Sequence, residues 1–179
     1  MPKNGYMNGQ LKICLLVLVA MLAVGCKPTP QPVKHLGKDN GVDSAMLMQI
    51  EFNTHMVELA NNECLSYIQQ DSTMSYAQDD FGFWYTKTIR QVSDSVRKGQ
   101  KVPLHLQVYE LNDSLLADVK ASLQAGNSEL PMAVNRSLAM MCVGEQMQIV
   151  APWYVAYGTS GTELVKPYTN VKIILTVEQ

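Results

Sequence analysis

The chain has 179 residues, of which 47% are hydrophobic and 17% are charged, and its formal net charge is −2 at neutral pH. This length and composition suit one compact domain with accessory segments, and the chain has too little glycine and proline for a collagen-like or disordered protein. No basic stripe of the kind that nucleic-acid binding requires is evident, so a nucleic-acid partner is not expected.

Residues 1–25 have the organisation of an export signal. Lys3 and Lys12 precede the apolar run ICLLVLVAMLA, which is too short to span a bilayer but suits the hydrophobic region of a signal peptide. The run ends in LAVGC, and small residues directly before a cysteine resemble a bacterial lipoprotein cleavage site. Cys26 would then be the lipidated first residue of the mature chain. The alternatives are an ordinary cleaved signal or an uncleaved anchor.

The lipoprotein interpretation predicts where the folded part resides. A lipid on Cys26 would attach the protein to the inner or outer membrane of a bacterial cell envelope, with the folded part facing the periplasm. Residues 26–42 contain the three prolines and two glycines of PTPQPVKHLGKDNG, and this composition predicts an extended tether between the anchor and the folded part.

Residues 43–74 form the predicted helical extension. They contain no proline or glycine, and their apolar residues recur at helical spacing. The pattern fits one long helix or two shorter helices broken near Asn53, with Asp43 or Ser44 as the N-cap.

The candidate metal ligands and cysteines of the chain give only weak functional signals. Glu51, His55 and Glu58 would share a helix face, but a solvated polar face explains them better than a metal site, so no metal is expected. Cys64 and Cys142 lie on apolar helical registers, which favours two small buried hydrophobic residues, although the sequence leaves a disulfide between them open.

Residues 75–179 form the second predicted domain. Within it, apolar residues recur at every second position rather than at helical spacing. This alternation predicts an antiparallel sheet with one face in water. Pro103 predicts that its strand has an edge or a bulge there. The inward residues of two strands are Val102, Leu104, Leu106 and Val108, and Val171, Ile173, Leu175 and Val177. The predicted strands cover residues 83–89, 101–111, 147–151 and 171–178.

One short helix is predicted within residues 131–145. Val134, Leu138 and Met141 would share its apolar face, and Gly144 suits the left-handed residue that closes a helix. One helix packed on one twisted sheet predicts an α+β fold with a small core, where a pocket could open.

Four landmarks occur in order within residues 83–179: Gly99-Gln100, the Met-Cys-Val-Gly-Glu run that ends at Glu145, Pro152 followed by Ala156-Tyr157-Gly158, and Val177-Glu178. Together they resemble the FKBP-type peptidyl-prolyl cis/trans isomerases. The resemblance implies an antiparallel sheet wrapped around one short helix, here preceded by an N-terminal helical segment.

The resemblance also implies an activity and a site. The activity would be isomerisation of proline-containing polypeptides, which assists the folding of exported proteins and needs no cofactor. Tyr157 would line the proline pocket, with its hydroxyl reaching a carbonyl of the bound peptide. The predicted substrate-binding residues are Leu106, Leu116, Leu130, Val134, Ile149, Trp153 and Leu175.

The chain departs from the family at several pocket positions. Leu106-Gln107-Val108 replaces Tyr-Thr-Gly, and Leu116-Ala117 replaces a Phe-Asp pair whose aspartate contacts the ligand. The position of the family's pocket-floor tryptophan falls near Val134 in this chain, and the position of the aromatic residue in the family's last strand falls near Leu175. An aromatic floor gives the proline ring a rigid platform, so its loss should weaken binding more than it alters the fold.

These departures leave alternative functions open. The protein could be a catalytically weak or inactive FKBP-fold chaperone or protein-binding lipoprotein. It could also be a purely architectural envelope lipoprotein. Secreted FKBP-type proteins often dimerise through N-terminal helices, so the resemblance offers a homodimer through residues 43–70 as a further option.

Overall fold

The computed structural model describes residues 44–127 and 129–179. The predicted export signal, the tether, the lipidation site at Cys26 and the candidate N-cap Asp43 lie outside the described residues. Ser44 is the first residue of a helix.

The N-terminal extension is one continuous helix, α1 (Ser44–Gln70). Of the two alternatives predicted, the single long helix is therefore confirmed, and there is no break at Asn53. The polar side chains in this region are satisfied along the helix, because Gln49 donates to Asn53 and the Thr54 hydroxyl donates to the Ile50 carbonyl. Without proline or glycine in this segment, nothing in the backbone interrupts the helix.

Six strands form one sheet in which every neighbouring pair is antiparallel. The sheet order is β1-β2-β5-β6-β3-β4. The four predicted strands are confirmed within one or two residues, including the pairing of the terminal strand with β3, whereas β1 and β4 were not predicted. The strands are β1 (Ala77–Gln78), β2 (Trp84–Ile89), β3 (Lys101–Glu110), β4 (Leu115–Gln124), β5 (Gln146–Ala151) and β6 (Val171–Val177).

The prediction of an edge or bulge at Pro103 is wrong. β3 is an interior strand between β6 and β4, and its irregularity lies at Val108 and Tyr109. Pro103 is tolerated because its carbonyl accepts the N–H of Glu178, just beyond the end of β6. The N–H and C=O of a strand residue point to the same side, so the proline removes only one hydrogen bond at the end of the ladder.

The core lies between the sheet and a second helix, α2 (Met132–Leu138). Val134, Leu138 and Met141 are buried as predicted, and so are the inward residues of β6. However, α2 ends at Leu138, so Met141 and Gly144 belong to the following turn. Gly144 has φ +84° in this turn, so its left-handed conformation serves the turn that leads into β5 and does not close the helix.

The outer face of the sheet is not entirely in water, contrary to the prediction. Ala60 and Cys64 of α1 are buried, and Cys64 packs with Trp84 of β2 and Val150 of β5. The C-terminal half of α1 therefore covers the β2–β5 side of the sheet. On β3 the outer face remains polar, where His105 bonds to a surface carboxylate.

The two cysteines within the described residues, Cys64 and Cys142, are free thiols. Cys64 fits the prediction of a small buried hydrophobic residue, since it has no exposed surface. Cys142 does not fit it fully, because this residue lies half-buried in the turn before β5, where its sulfur is 3.7 Å from the Ser95 hydroxyl.

Candidate functional site

Tyr157 lies in the long connection between β5 and β6, directly after a short 3-10 turn, Trp153–Val155. The N–H groups of Ala156 and Gly158 both donate to the Trp153 carbonyl, at 3.2 and 2.7 Å. Gly158 has φ +69°, a conformation that favours glycine. The Ala-Tyr-Gly motif is thus a tight turn in which hydrogen bonds on both sides of Tyr157 fix its backbone.

The Tyr157 side chain packs against the main hydrophobic core and is half-buried. Burial raises the pKa of its phenol to about 12. Among the described residues, no group forms a hydrogen bond with this hydroxyl. At neutral pH Tyr157 is therefore a protonated hydrogen-bond donor with no partner among residues 44–127 and 129–179.

Six of the seven predicted substrate-binding residues belong to the same cluster as Tyr157. They differ in how much surface they expose. Three of them have no exposed surface, so a ligand could reach them only if side chains moved: Val134, Ile149 and Leu175. The other three are half-buried at the margin of the cluster: Leu106, Leu116 and Leu130.

Trp153, the seventh predicted residue, has different neighbours. Its ring makes edge-to-face contacts with Tyr168 and Tyr154, with centroid distances of 4.9 and 5.6 Å. Its backbone N–H donates to the Asn170 side chain at 2.9 Å, and its indole N–H is buried without a hydrogen-bond partner. The structure therefore places Trp153 at the base of the Tyr157 turn, and its contact with a substrate stays a prediction.

Asp118 lies next to Ala117, the position where the family has its ligand-binding aspartate, but its carboxylate is not available to the site. Asp118 follows Ala117 in β4, so its side chain points to the opposite face of the sheet. There it is bonded to His105 at 2.6 Å and accepts from Gln107 at 3.0 Å, and the hydrogen bond with His105 lowers the Asp118 pKa. The cluster around Tyr157 thus lacks this polar group, as the sequence predicts.

Sequence reasoning predicted Leu116 of β4 as a site residue but did not predict that Ala117 and Val119 also lie at the margin of the site. Val119 pairs with Leu106 across the strands and is 40% exposed, and Ala117 packs against the core cluster. Recognising β4 as a strand would have revealed both residues, because they share the face of Leu106.

Neither helix in the described part of the chain has the length and apolar character needed to cross a membrane. Within residues 44–127 and 129–179, no group of three or more His, Cys, Asp or Glu residues is placed to hold a metal ion.

Comparisons with known proteins agree with this geometry. Residues 93–178 match the family described as FKBP-type peptidyl-prolyl cis-trans isomerase. No curated protein matches the chain. Among solved structures, FkpA from Escherichia coli is similar at 11% identity and a TM-score of 0.59, covering 99% of this chain and 74% of FkpA.

Two further solved structures are similar. AtFKBP13 has 15% identity and a TM-score of 0.53, covering 58% of this chain and 97% of AtFKBP13. A peptidyl-prolyl cis-trans isomerase from Pseudomonas syringae pv. tomato has 13% identity and a TM-score of 0.57, covering 68% of this chain and 93% of that protein. At these identities the similarity shows the fold.

The sheet wrapped on α2, the tight Ala-Tyr-Gly turn and the structural matches define an FKBP-like α+β domain, as predicted. The family match and the shared fold identify residues 93–178 as an FKBP-type domain. The family and the fold support isomerisation as its activity.

Proposed function

We propose that this protein is a peptidyl-prolyl cis/trans isomerase that assists the folding of exported proteins in the cell envelope. The single observation that carries the proposal is the unpaired, protonated hydroxyl of Tyr157 beside an apolar cluster. This hydroxyl is not one of the fully buried polar atoms that lack a partner, so an acceptor from outside the domain can reach it. A carbonyl of a bound X–Pro peptide is the acceptor that this arrangement suits.

Apolar surroundings are well suited to this reaction. Rotation about an X–Pro bond is opposed by a barrier of about 18–20 kcal/mol, because the planar amide is stabilised by resonance. The twisted transition state has lost that resonance and is less dipolar, so an apolar, water-poor site binds it better than the planar amide. A barrier lowered by about 5.4 kcal/mol gives a rate about 10⁴-fold higher. Rotation breaks no covalent bond, so it requires no nucleophile.

The proposed location of this activity rests on the N-terminal sequence. A lipid on Cys26 and the tether predicted over residues 26–42 would keep the domain at the membrane, where exported polypeptides emerge unfolded. Expression of the full chain with labelled fatty acid tests this part. We expect label on the wild type and none on Cys26→Ser, and label on neither would refute the anchor.

The first half of α1 suits self-association, and we include a homodimer through residues 43–70 in the proposal. Several large apolar side chains there are about half exposed or more, which is unusual for a solvated helix. They are Met46, Leu47, Met48, Ile50 and Phe52. Sedimentation equilibrium should show a dimer that Phe52→Glu weakens. A monomer at all concentrations would refute this part of the proposal.

A second candidate function is client binding without useful turnover. The observation that favours it is that Val134, Ile149 and Leu175 have no exposed surface, so the innermost part of the predicted pocket is closed. The lost aspartate and aromatic residues act in the same direction, because they would otherwise hold the proline ring.

One experiment separates the two functions. Exchange between the cis and trans forms of an Ala-Leu-Pro-Phe peptide is measured by NMR with residues 27–179 and with two variants, Tyr157→Phe and Tyr109→Phe. Tyr109 is the matched control, since it lies outside the cluster and its ring contacts Lys172. We expect acceleration by the wild type and by Tyr109→Phe, and a lower rate with Tyr157→Phe.

Two other outcomes have distinct meanings. Equal acceleration by all three proteins would remove Tyr157 from the site. No acceleration by a folded wild type that still binds the peptide would establish the second function instead.

A further inference from the structure

We infer that α1 holds the Tyr157 turn in its working position through Asn61 and Glu63, which act as positioning residues. The inference rests on the proposed isomerase function and extends it to a part of the chain outside the matched family region, residues 93–178. α1 would then be a component of the site as well as an extension that precedes it.

The first connection runs from Glu63 through Asn170 to the base of the turn. The Asn170 side-chain amide donates to the Glu63 carboxylate at 2.5 Å, while its oxygen accepts the backbone N–H of Trp153 at 2.9 Å. Asn170 is buried, with 7% of its surface exposed. The backbone N–H can only donate, so the orientation of the Asn170 amide is fixed and both of its ends are used.

The same residue, Trp153, organises the turn around Tyr157. The Trp153 carbonyl accepts the N–H groups of Ala156 and Gly158, the neighbours of Tyr157 on either side. A hydrogen-bonded path of three steps therefore leads from the α1 carboxylate of Glu63 to the backbone that presents the tyrosine.

The second connection joins Asn61 to Tyr154. The Tyr154 hydroxyl donates to the Asn61 side chain at 2.8 Å. Gly82 makes room for this contact, since a Cβ atom at Gly82 would lie 2.7 Å from the Tyr154 hydroxyl oxygen. Asn61 and Glu63 thus contact residues at the beginning and at the end of the loop between β5 and β6.

Fixing this loop should matter for catalysis. Apart from short turns, residues 152–170 have no regular structure, so ordering them costs conformational entropy. Loosening either contact lowers the fraction of molecules in which the Tyr157 hydroxyl faces a bound peptide, and the apparent activity falls by that fraction. Because Asn61 and Glu63 bond to loop residues other than Tyr157, they act through the loop.

Two substitutions remove the contacts, and conservative ones restore them. Glu63→Ala and Asn61→Ala delete the acceptors, whereas Glu63→Gln and Asn61→Asp each keep an acceptor oxygen. The matched control is Tyr67→Phe, which also deletes a hydrogen bond between α1 and the sheet domain, that to Asp113 in the β3–β4 turn at 3.3 Å. Tyr67→Phe leaves the loop contacts intact.

The test uses residues 27–179 with two readouts: peptide exchange by NMR and the ring signals of Tyr157 in tyrosine-labelled protein, assigned with Tyr157→Phe. We expect each alanine variant to lower the exchange rate about 2–10-fold, the range that corresponds to one hydrogen bond, and to shift or broaden the Tyr157 signals. The conservative variants should stay within about twofold of the wild type, and Tyr67→Phe should change neither readout.

Two results would overturn the inference. One is an unchanged Tyr157 signal and exchange rate in both alanine variants, with urea midpoints that show them folded. The other is an equal loss in Tyr67→Phe, which would indicate that docking of α1 acts only through general stability. If the wild type does not accelerate exchange, the proposed function fails, but the Tyr157 ring signals still decide whether α1 positions the turn.

Discussion

Replacing Glu145 with glutamine should destabilise the domain strongly, because this carboxylate is buried and carries two close contacts. Glu145 is 3% exposed and directly precedes β5. Its carboxylate accepts a hydrogen bond from the Lys87 ammonium at 2.7 Å and another from the Cys142 N–H at 2.8 Å. The Gly-Glu pair of the sequence motif thus has a structural reason. Gly144 adopts a positive φ, and Glu145 then closes the turn.

The expected cost follows from these contacts. A hydrogen bond to a charged group contributes about 1.5–3 kcal/mol, and breaking a buried ion pair costs about 3–5 kcal/mol. In Glu145→Gln the amide oxygen can still accept from Cys142, and Lys87 remains 20% exposed to water. We therefore expect a loss of about 2–4 kcal/mol in the free energy of unfolding, which corresponds to roughly 6–15 °C in Tm.

The pH dependence provides a second, independent signature. Burial by itself would raise the Glu145 pKa, but the contacts with Lys87 and the Cys142 N–H outweigh it and hold the pKa below its ordinary value of 4.5. A lowered folded-state pKa stabilises the protein above the unfolded-state value, and this stability is lost as the pH falls through the folded-state pKa. The difference between wild type and variant should be constant from about pH 6 to 8 and shrink below about pH 4.5.

Urea unfolding of both proteins across this pH range is the assay. The matched control is Glu58→Gln on the exposed part of α1, which should leave stability unchanged. In the double variant Lys87→Met/Glu145→Gln, the combined cost should be smaller than the sum of the single costs, because the two groups are in contact. A cost below about 0.5 kcal/mol at pH 7, with no change towards pH 3, would refute the reasoning.

Two further predictions concern other buried contacts. Burial raises the pKa of the Cys64 thiol from its ordinary value of 9.0 to about 12, which lowers the fraction of thiolate about a thousandfold. Maleimide should therefore label Cys142 in the native protein and Cys64 only after unfolding. Gly82→Ala should cost about 1–3 kcal/mol more than Gly99→Ala. Both glycines have positive φ, but only at Gly82 does an added Cβ also meet the Tyr154 hydroxyl. Equal labelling rates, or equal urea midpoints for the two glycine variants, would contradict these predictions.

The interior strands could be predicted because their signal is local. In β6, Val171, Ile173, Leu175 and Val177 are buried and alternate with partly exposed residues, as the sequence pattern indicates. The edge strand β4 was missed because it needs little apolar surface. Asp118 and Lys120 interrupt its pattern, and Leu115 and Val119 remain substantially exposed. Its existence depends on backbone pairing with β3, which a single strand's sequence does not reveal.

The site shows the same division between local and distant information. Tyr157 could be found from a motif of three adjacent residues. Asn61, Glu63 and Asn170 could not, because they are ordinary polar residues whose importance arises only where α1 meets the loop before β6. The hydrogen bond between Glu63 and Asn170 joins residues 107 positions apart, and neither residue has a pattern around it that predicts the other.

The covering of the outer face by α1 does have a signal in the sequence. A strand with one wet face alternates, whereas a strand buried on both faces reads as a nearly continuous apolar run. In β5 all residues from Met147 to Ala151 are buried: Ile149 and its inward neighbours face the core, while Val150 faces Cys64 of α1. On β3, Pro103, His105 and Gln107 keep the outer positions polar. The signal in β5 is limited to Val150, because the outward residues Gln146 and Gln148 are polar. An apolar outward residue at Val150 indicates that a further element covers this end of β5, and α1 is that element.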